Sequence, residues 1–220
     1  MSLLPRGEHA LHPLLLALLL LILVVKPLVE LGLLPPFAMM LGLQAVIIAG
    51  LFCLDEAANL TRNLAFLAVL ASLGLQALVL GWSGAVPALL AVAGAALAMS
   101  VLVAAILRQS FAAGPISFRR IEGAIAAYLL IGLVFACLYA MLHGLVPVAF
   151  LHQGEPAQEA EHVVSYIFFS FVTLTTTGYG DIVPVHPVAR SLAILEALTG
   201  QLYLAILLAR LVSLQVNHRE

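Results

Sequence analysis

The sequence predicts an all-α integral membrane protein with six transmembrane helices and a short re-entrant helix between the fifth and the sixth. Three observations carry that fold class. Of 220 residues, 64% are hydrophobic and 9% charged, at a mean hydropathy of +1.16, which leaves too little polar surface to coat a water-soluble globule. The apolar residues fall into six long runs, close to the roughly 20 helical residues that a hydrocarbon core of about 30 Å requires. A seventh run, 162–174, is helical in character but too short to cross, so it enters and returns on one side.

Taken in order, the first helix spans 13–34. Its apolar core is too long for a signal peptide, no small-residue cleavage site follows, and a Lys26–Glu30 pair interrupts it. It is expected to kink at Pro27, with Lys26 and Glu30 forming a local i, i+4 pair near the outer membrane surface. The second and third helices cover 37–54 and 63–81. The fourth, 85–108, reads "AVPALLAVAGAALAMSVLVAAILR", an Ala- and Gly-rich composition suited to close helix packing. The link "RQSFAAGPISFRR" is broken at Gly114-Pro115. It divides a four-helix bundle, 1–112, from a second unit, 113–220. That unit holds the fifth helix, 119–143, the re-entrant helix and the sixth helix, 187–212, which opens on His186-Pro187 where proline forfeits no needed hydrogen bond.

Orientation follows from charge. Six spans put both termini on one side, together with Arg6, Arg62, Arg108, Arg119, Arg120, Arg210 and Arg219. By the positive-inside rule that side is the cytoplasmic face of the cell membrane, the plasma or inner one. The segment from Pro147 to Asp181, carrying Glu155, Glu159 and Glu161, then faces outward. A net charge of −2 with scattered cations offers no face for nucleic acid. Cys53 and Cys137 lie inside apolar runs and read as small packed hydrophobes, and the seven histidines show no metal-ligand spacing. With no catalytic constellation, the chain does not read as an enzyme, and no cofactor is expected.

"TLTTTGYGD", 173–181, is the stretch that does not fit its oily surroundings. Backbone that is neither helix nor barrel is tolerated at membrane depth only where it lines a cavity or is buried in protein. Glycines at alternate positions, Gly178 and Gly180, allow backbone angles that residues with a Cβ avoid, so that successive carbonyls turn the same way. Several copies around an axis would stack those carbonyls, with a threonine hydroxyl at the inner end, into rings that replace the water shell of a monovalent cation. The re-entrant helix aims its partial negative end at the same axis.

At these residues the sequence resembles the potassium-channel family. Thr176, Thr177, Gly178, Tyr179, Gly180 and Asp181 match the signature Thr-Val-Gly-Tyr-Gly-Asp, with threonine in place of valine. The resemblance covers 119–212 closely. It implies a selectivity filter at Thr176, Thr177, Gly178, Tyr179 and Gly180, with potassium ions held at Thr176 through Tyr179. It also implies a homotetramer in a lipid bilayer. Gly200 falls where the family often bends its inner helix, and its other reading is close helix packing. Gln201, Leu204 and Leu208 would line the cavity on one helical face.

The resemblance also exposes departures. Where many members carry a tryptophan that donates to the filter aspartate, this chain has Phe168, followed by Phe169; where some carry a glutamate, it has Val172. Asp181 therefore loses both familiar partners, and Thr177 adds a polar group behind the filter carbonyls, which points to a filter that itself gates. Glu196, in the middle of the sixth helix, reads as a gating group or as a structural acid holding that helix against the re-entrant one through Thr173 or Thr175. The fourth helix has a single arginine, Arg108, and cannot carry a ladder of gating charge. The expected function is a potassium-selective channel without steep voltage dependence, gated at the filter, at the inner helix or at both. A weakly selective monovalent cation channel and a cation uptake or symport subunit are the alternatives.

Overall fold

A computed structural model describes residues 11–52, 59–81, 85–111, 118–157 and 163–217. The first helical stretch comprises α1, His12–Leu20, a five-residue π turn, Leu21–Val25, and α2, Lys26–Glu30. The helices that follow are α3, Phe37–Phe52, α4, Asn59–Gly81, α5, Ala85–Ser110, and α6, Phe118–Leu145. After α6 come two short strands, β1, Phe150–His152, and β2, Glu155–Pro156, then α7, Val163–Leu174, β3, Ile182–Pro184, and the long α8, Pro187–Asn217.

Four of the described helices, His12–Glu30, Val86–Ser110, Phe118–Leu145 and Pro187–Arg210, are long and apolar enough to cross a membrane. Among the described residues, three shorter apolar helical segments are Phe37–Phe52, Phe66–Ala77 and Val163–Leu174. Phe37–Phe52 spans about 24 Å over its 16 described residues, and the 23 residues of α4 include Asn59, Thr61, Arg62 and Asn63 before the helix turns apolar.

The first helix differs from its sequence-based outline. It stops at Glu30 rather than 34 because Gly32 takes φ +71°, and the Leu33 and Leu34 N–H groups turn back to the Leu28 carbonyl. Pro35-Pro36 then separate it from α3. Pro27 has no N–H to offer the preceding turn, and the distortion there takes the form of the π turn just before it.

Three strands were not expected. They form one antiparallel sheet in the order β2-β1-β3. Gln153 and Gly154, with φ +51° and +89°, close the β1–β2 hairpin in two residues, the geometry whose twist suits a tight hairpin. In the second pairing Phe150 faces Pro184, Leu151 faces Val183 and His152 faces Ile182. The sheet thereby joins the segment after α6 to the segment after 173–181.

The packing centre lies among α5, α6 and α7. α5 and α6 run along each other, and both carry buried alanines, among them Ala95 and Ala98 on α5 and Ala126 and Ala127 on α6, residues that suit close helix packing. α7 reaches α6 at Gly132, where any Cβ would meet the Phe171 ring edge at 2.8 Å. α8 reaches α7 at Gly200, where a Cβ would overlap the Leu174 carbonyl oxygen. The helix continues unbroken through Gly200.

Gly200→Ala is expected to cost about 1–3 kcal/mol, because the obstacle is backbone rather than a side chain that can move aside. Thermal unfolding in detergent should show a lowered midpoint. An unchanged midpoint would show that Gly200 is not required for packing.

Candidate functional site

The stretch 175–180 begins where α7 ends, and the end of α7 explains how it is held. A helix leaves its last four carbonyls without helical partners. Here each finds one or is covered. Phe171 O accepts from the Thr175 N–H at 3.0 Å and from the Thr175 hydroxyl at 2.7 Å. Val172 O accepts from the N–H groups of Thr177, 2.8 Å, and Gly178, 3.3 Å, and Thr173 O accepts from Thr176 N–H at 2.9 Å. Leu174 O lies against Gly200 and receives the Tyr128 hydroxyl at 3.4 Å. Val172, apolar in its side chain, thus supports the stretch through its carbonyl.

Beyond that anchor the backbone alternates. Thr176, Gly178 and Gly180 have φ of +57°, +61° and +80°, while Thr177 and Tyr179 do not enter the left-handed region. Alternation between left- and right-handed conformations turns successive carbonyls toward one side, and for Thr176, with a Cβ, the conformation is strained. All six residues from Thr175 to Gly180 are exposed in the single chain. Added Cβ atoms at Gly178 and Gly180 would meet nothing within 4 Å, so backbone conformation alone calls for glycine there.

The threonine hydroxyls form a short relay. Thr175 Oγ1 donates to Phe171 O, so Thr177 Oγ1, 2.9 Å away, donates to Thr175. The Thr177 hydroxyl is therefore satisfied inside the chain. Gln201, from α8, donates through Nε2 to Thr176 Oγ1 at 3.0 Å, which ties the inner end of the stretch to the long helix. Leu204 and Leu208 lie exposed on α8, as does Gln201.

The two phenylalanines divide their work. Phe169 turns into the core, edge-on to Tyr139 at 4.8 Å between centroids and to Phe150 at 5.7 Å. Phe168 stacks on Tyr179, the rings 4° from parallel and 6.0 Å apart. At the outer end, Asp181 O accepts from Gln153 N–H at 2.8 Å, so the hairpin holds the backbone there. No hydrogen bond or ion pair is found for the Asp181 carboxylate among the described residues.

Glu196 is fully buried. Its carboxyl touches neither Thr173 nor Thr175, the expected partners; it receives the Tyr139 hydroxyl at 2.6 Å and sits 2.5 Å from Ser170 Oγ. Ser170 Oγ also lies 2.6 Å from Gly132 O. One acid on α8 therefore binds α6 and α7 together. The expected partners were wrong by one turn: Ser170 precedes Thr173 by three residues on α7, and only the depth at which α8 crosses, fixed by Gly200 against Leu174, decides which turn Glu196 meets. Tyr139 could not be read from sequence, since nothing local marks a residue 57 positions away. A polar Ser170 in an apolar helix was a legible signal.

Lower on α8, Tyr203 donates to Ala124 O at 2.6 Å, and the Arg210 guanidinium lies 4.7 Å from the Phe111 ring centroid.

Comparison with known proteins places these features. Residues 124–216 match the family model described as an ion channel. An inward rectifier potassium channel of Paramagnetospirillum magnetotacticum is 38% identical over 71 residues, 31% of this chain and 24% of that protein. A voltage-gated potassium channel of Aeropyrum pernix is 31% identical over 65 residues, 30% and 22% respectively. Two-pore potassium channel 4 of Arabidopsis thaliana is 33% identical over 92 residues, 42% and 32%. The chain thus matches a third or less of the length of each of these relatives. No solved structure matches it. The family-model match therefore rests on the C-terminal part of the chain, residues 124–216.

Glu196→Ala would leave the Tyr139 hydroxyl buried without its acceptor, at a cost of about 1–3 kcal/mol beyond the lost packing. Glu196→Gln keeps an oxygen for Tyr139 and an amide for Ser170, and should lose much less. Unfolding midpoints of the two variants in detergent check the order.

Proposed function

We propose that four copies of this chain form a potassium-selective channel in the cell membrane, with Thr176 through Gly180 of each lining one filter. One observation carries the reading: left-handed backbone at Thr176, Gly178 and Gly180 alternating with Thr177 and Tyr179, in a stretch that its own chain leaves uncovered. A single strand of aligned carbonyls encloses nothing, whereas a closed ring of identical strands replaces an ion's hydration shell. Six crossings, an α7 that enters and returns from the outer side, and cytoplasmic termini complete this reading.

The residues then take distinct roles. Backbone carbonyls from Thr176 to Tyr179 coordinate the ion, the Thr176 hydroxyl adds the innermost ring, and Gln201 orients that hydroxyl from below. Leu204 and Leu208 line the cavity. Thr177, bonded to Thr175, ties the filter back to its helix and takes the place of the apolar packing that valine gives in the signature. With no hydrogen bond or ion pair to the Asp181 carboxylate among the described residues, the outer end is held through backbone, by the Gln153 contact and the β1–β3 pairing, which favours a gate at the filter itself. α5 offers one basic residue, Arg108 in its last turn, so the first four helices do not form a voltage sensor of the charged-ladder kind.

Protein reconstituted in liposomes should pass potassium much faster than sodium, and Gly178→Ala should abolish the flux by denying the backbone its positive φ. Thr177→Val should keep potassium selectivity. Equal permeability to the two ions in the unaltered protein would instead support the weakly selective channel.

Conductance in planar bilayers should vary shallowly with voltage, equivalent to less than about one elementary charge per subunit. A steep curve surviving Arg108→Gln would locate a sensor elsewhere.

A further inference from the structure

Lys26 is not where its sequence neighbourhood would put it. A lysine in a helix facing lipid ordinarily extends its stem toward the headgroups and keeps its ammonium wet. Lys26 is instead 8% exposed. Its Nζ lies 2.6 Å from Glu30 Oε1 and 5.5 Å from the centroid of the Phe168 ring. α2 packs against α7 at this point.

The π turn Leu21–Val25 accounts for the direction. Each residue of a helix advances the facing by about 100°, so a turn holding one residue more rotates everything after it relative to α1. α1 buries Leu14 and Leu18 in the bundle, while α2 buries Lys26. The rotated segment thus presents a cation to the helix that carries the filter.

The contact does not end at Phe168. The other end of the stack is Tyr179, its ring 4° from parallel to that of Phe168. Lys26, Phe168 and Tyr179 form a continuous column from the first helix to the residue whose neighbours, Gly178 and Gly180, carry the left-handed backbone. A cation over an aromatic face gains most when desolvated. Glu30 has its own function in such a column, because an unbalanced positive charge beside a cation path would oppose ion arrival.

We propose that Lys26 is a positioning residue for the filter, its Glu30-balanced ammonium fixing the Phe168 ring against Tyr179 and thereby the Tyr179 backbone; this rests on the reading of the chain as a potassium channel. The first helix then acts on selectivity without touching the ion.

The experiment uses the full chain in liposomes and planar bilayers, with sodium-to-potassium permeability ratio and the rate of current decline in low external potassium as readouts. Unaltered protein is measured first; failure to prefer potassium there sinks the channel reading and not the column specifically. Lys26→Met, which keeps the apolar stem, should raise the ratio and the decline rate about three- to tenfold, the scale of a partly desolvated cation–π contact. Lys26→Arg should restore most of the difference, since the guanidinium also stacks on rings. In a Phe168→Leu background Lys26→Met should add nothing, because the ring through which it acts is gone. If Lys26→Met does not fold, Lys26→Gln takes its place with the same expectation. Unchanged ratio and decline in the neutral variant, or a full additive effect on top of Phe168→Leu, would overturn the proposal and leave Lys26–Glu30 as a local ion pair.

Discussion

Six exposed residues of irregular backbone in an oily chain can exist only if the groups that hold them are used up elsewhere, and the end of α7 is where that is settled. Its last carbonyls accept from the N–H groups and the hydroxyl of residues 175 to 178, the residues that begin the irregular stretch. The helix terminus and the stretch therefore satisfy each other. With those N–H groups committed to α7, no backbone hydrogen bond to the carbonyls of Thr176 to Gly180 is found among the described residues.

Position in depth comes from three close approaches. Gly132 admits the Phe171 ring, Gly200 admits the Leu174 carbonyl, and Glu196 collects Tyr139 and Ser170. The glycines set how near the helices come, and the acid sets which turns face each other. Polar bonds of this kind fix a unique arrangement where apolar surfaces alone would slide. The outer end has a separate restraint, the hairpin, which reaches the Asp181 backbone through Gln153.

What the sequence made legible were features with local signatures. Run lengths placed the long helices, alternate glycines marked the irregular stretch 175–180, and a lone acid at 196 announced a partner. Features decided by long-range geometry were hidden. Gln153-Gly154 carries a turn signal, but two- and three-residue strands have too few side chains to show alternation. The early stop at Gly32 was masked because Leu33 and Leu34 continue the apolar run. Lys26 looked local since its nearest charged residue is four positions on; the π turn that swings it toward α7 leaves no compositional trace. The Thr175–Thr177 bond depends on left-handed Thr176 between them, which brings alternate side chains to one side. That conformation is rare enough for threonine that propensity argues against it.

The bare face of residues 175–180 has a consequence for how such a protein comes into being. Under the proposed assembly, a newly inserted chain carries carbonyls that face a space other copies would fill, together with exposed Ile194, Leu195, Leu198 and Leu202 on α8. In hydrocarbon, unpartnered carbonyls are costly, so under the proposed assembly a solitary protomer is a poor resident of the bilayer. Quality-control proteases that recognise unsatisfied intramembrane backbone would find it there and lose it once the ring closes. Cellular abundance of the protein would then depend on the rate at which copies meet, with synthesis level setting lifetime as well as number.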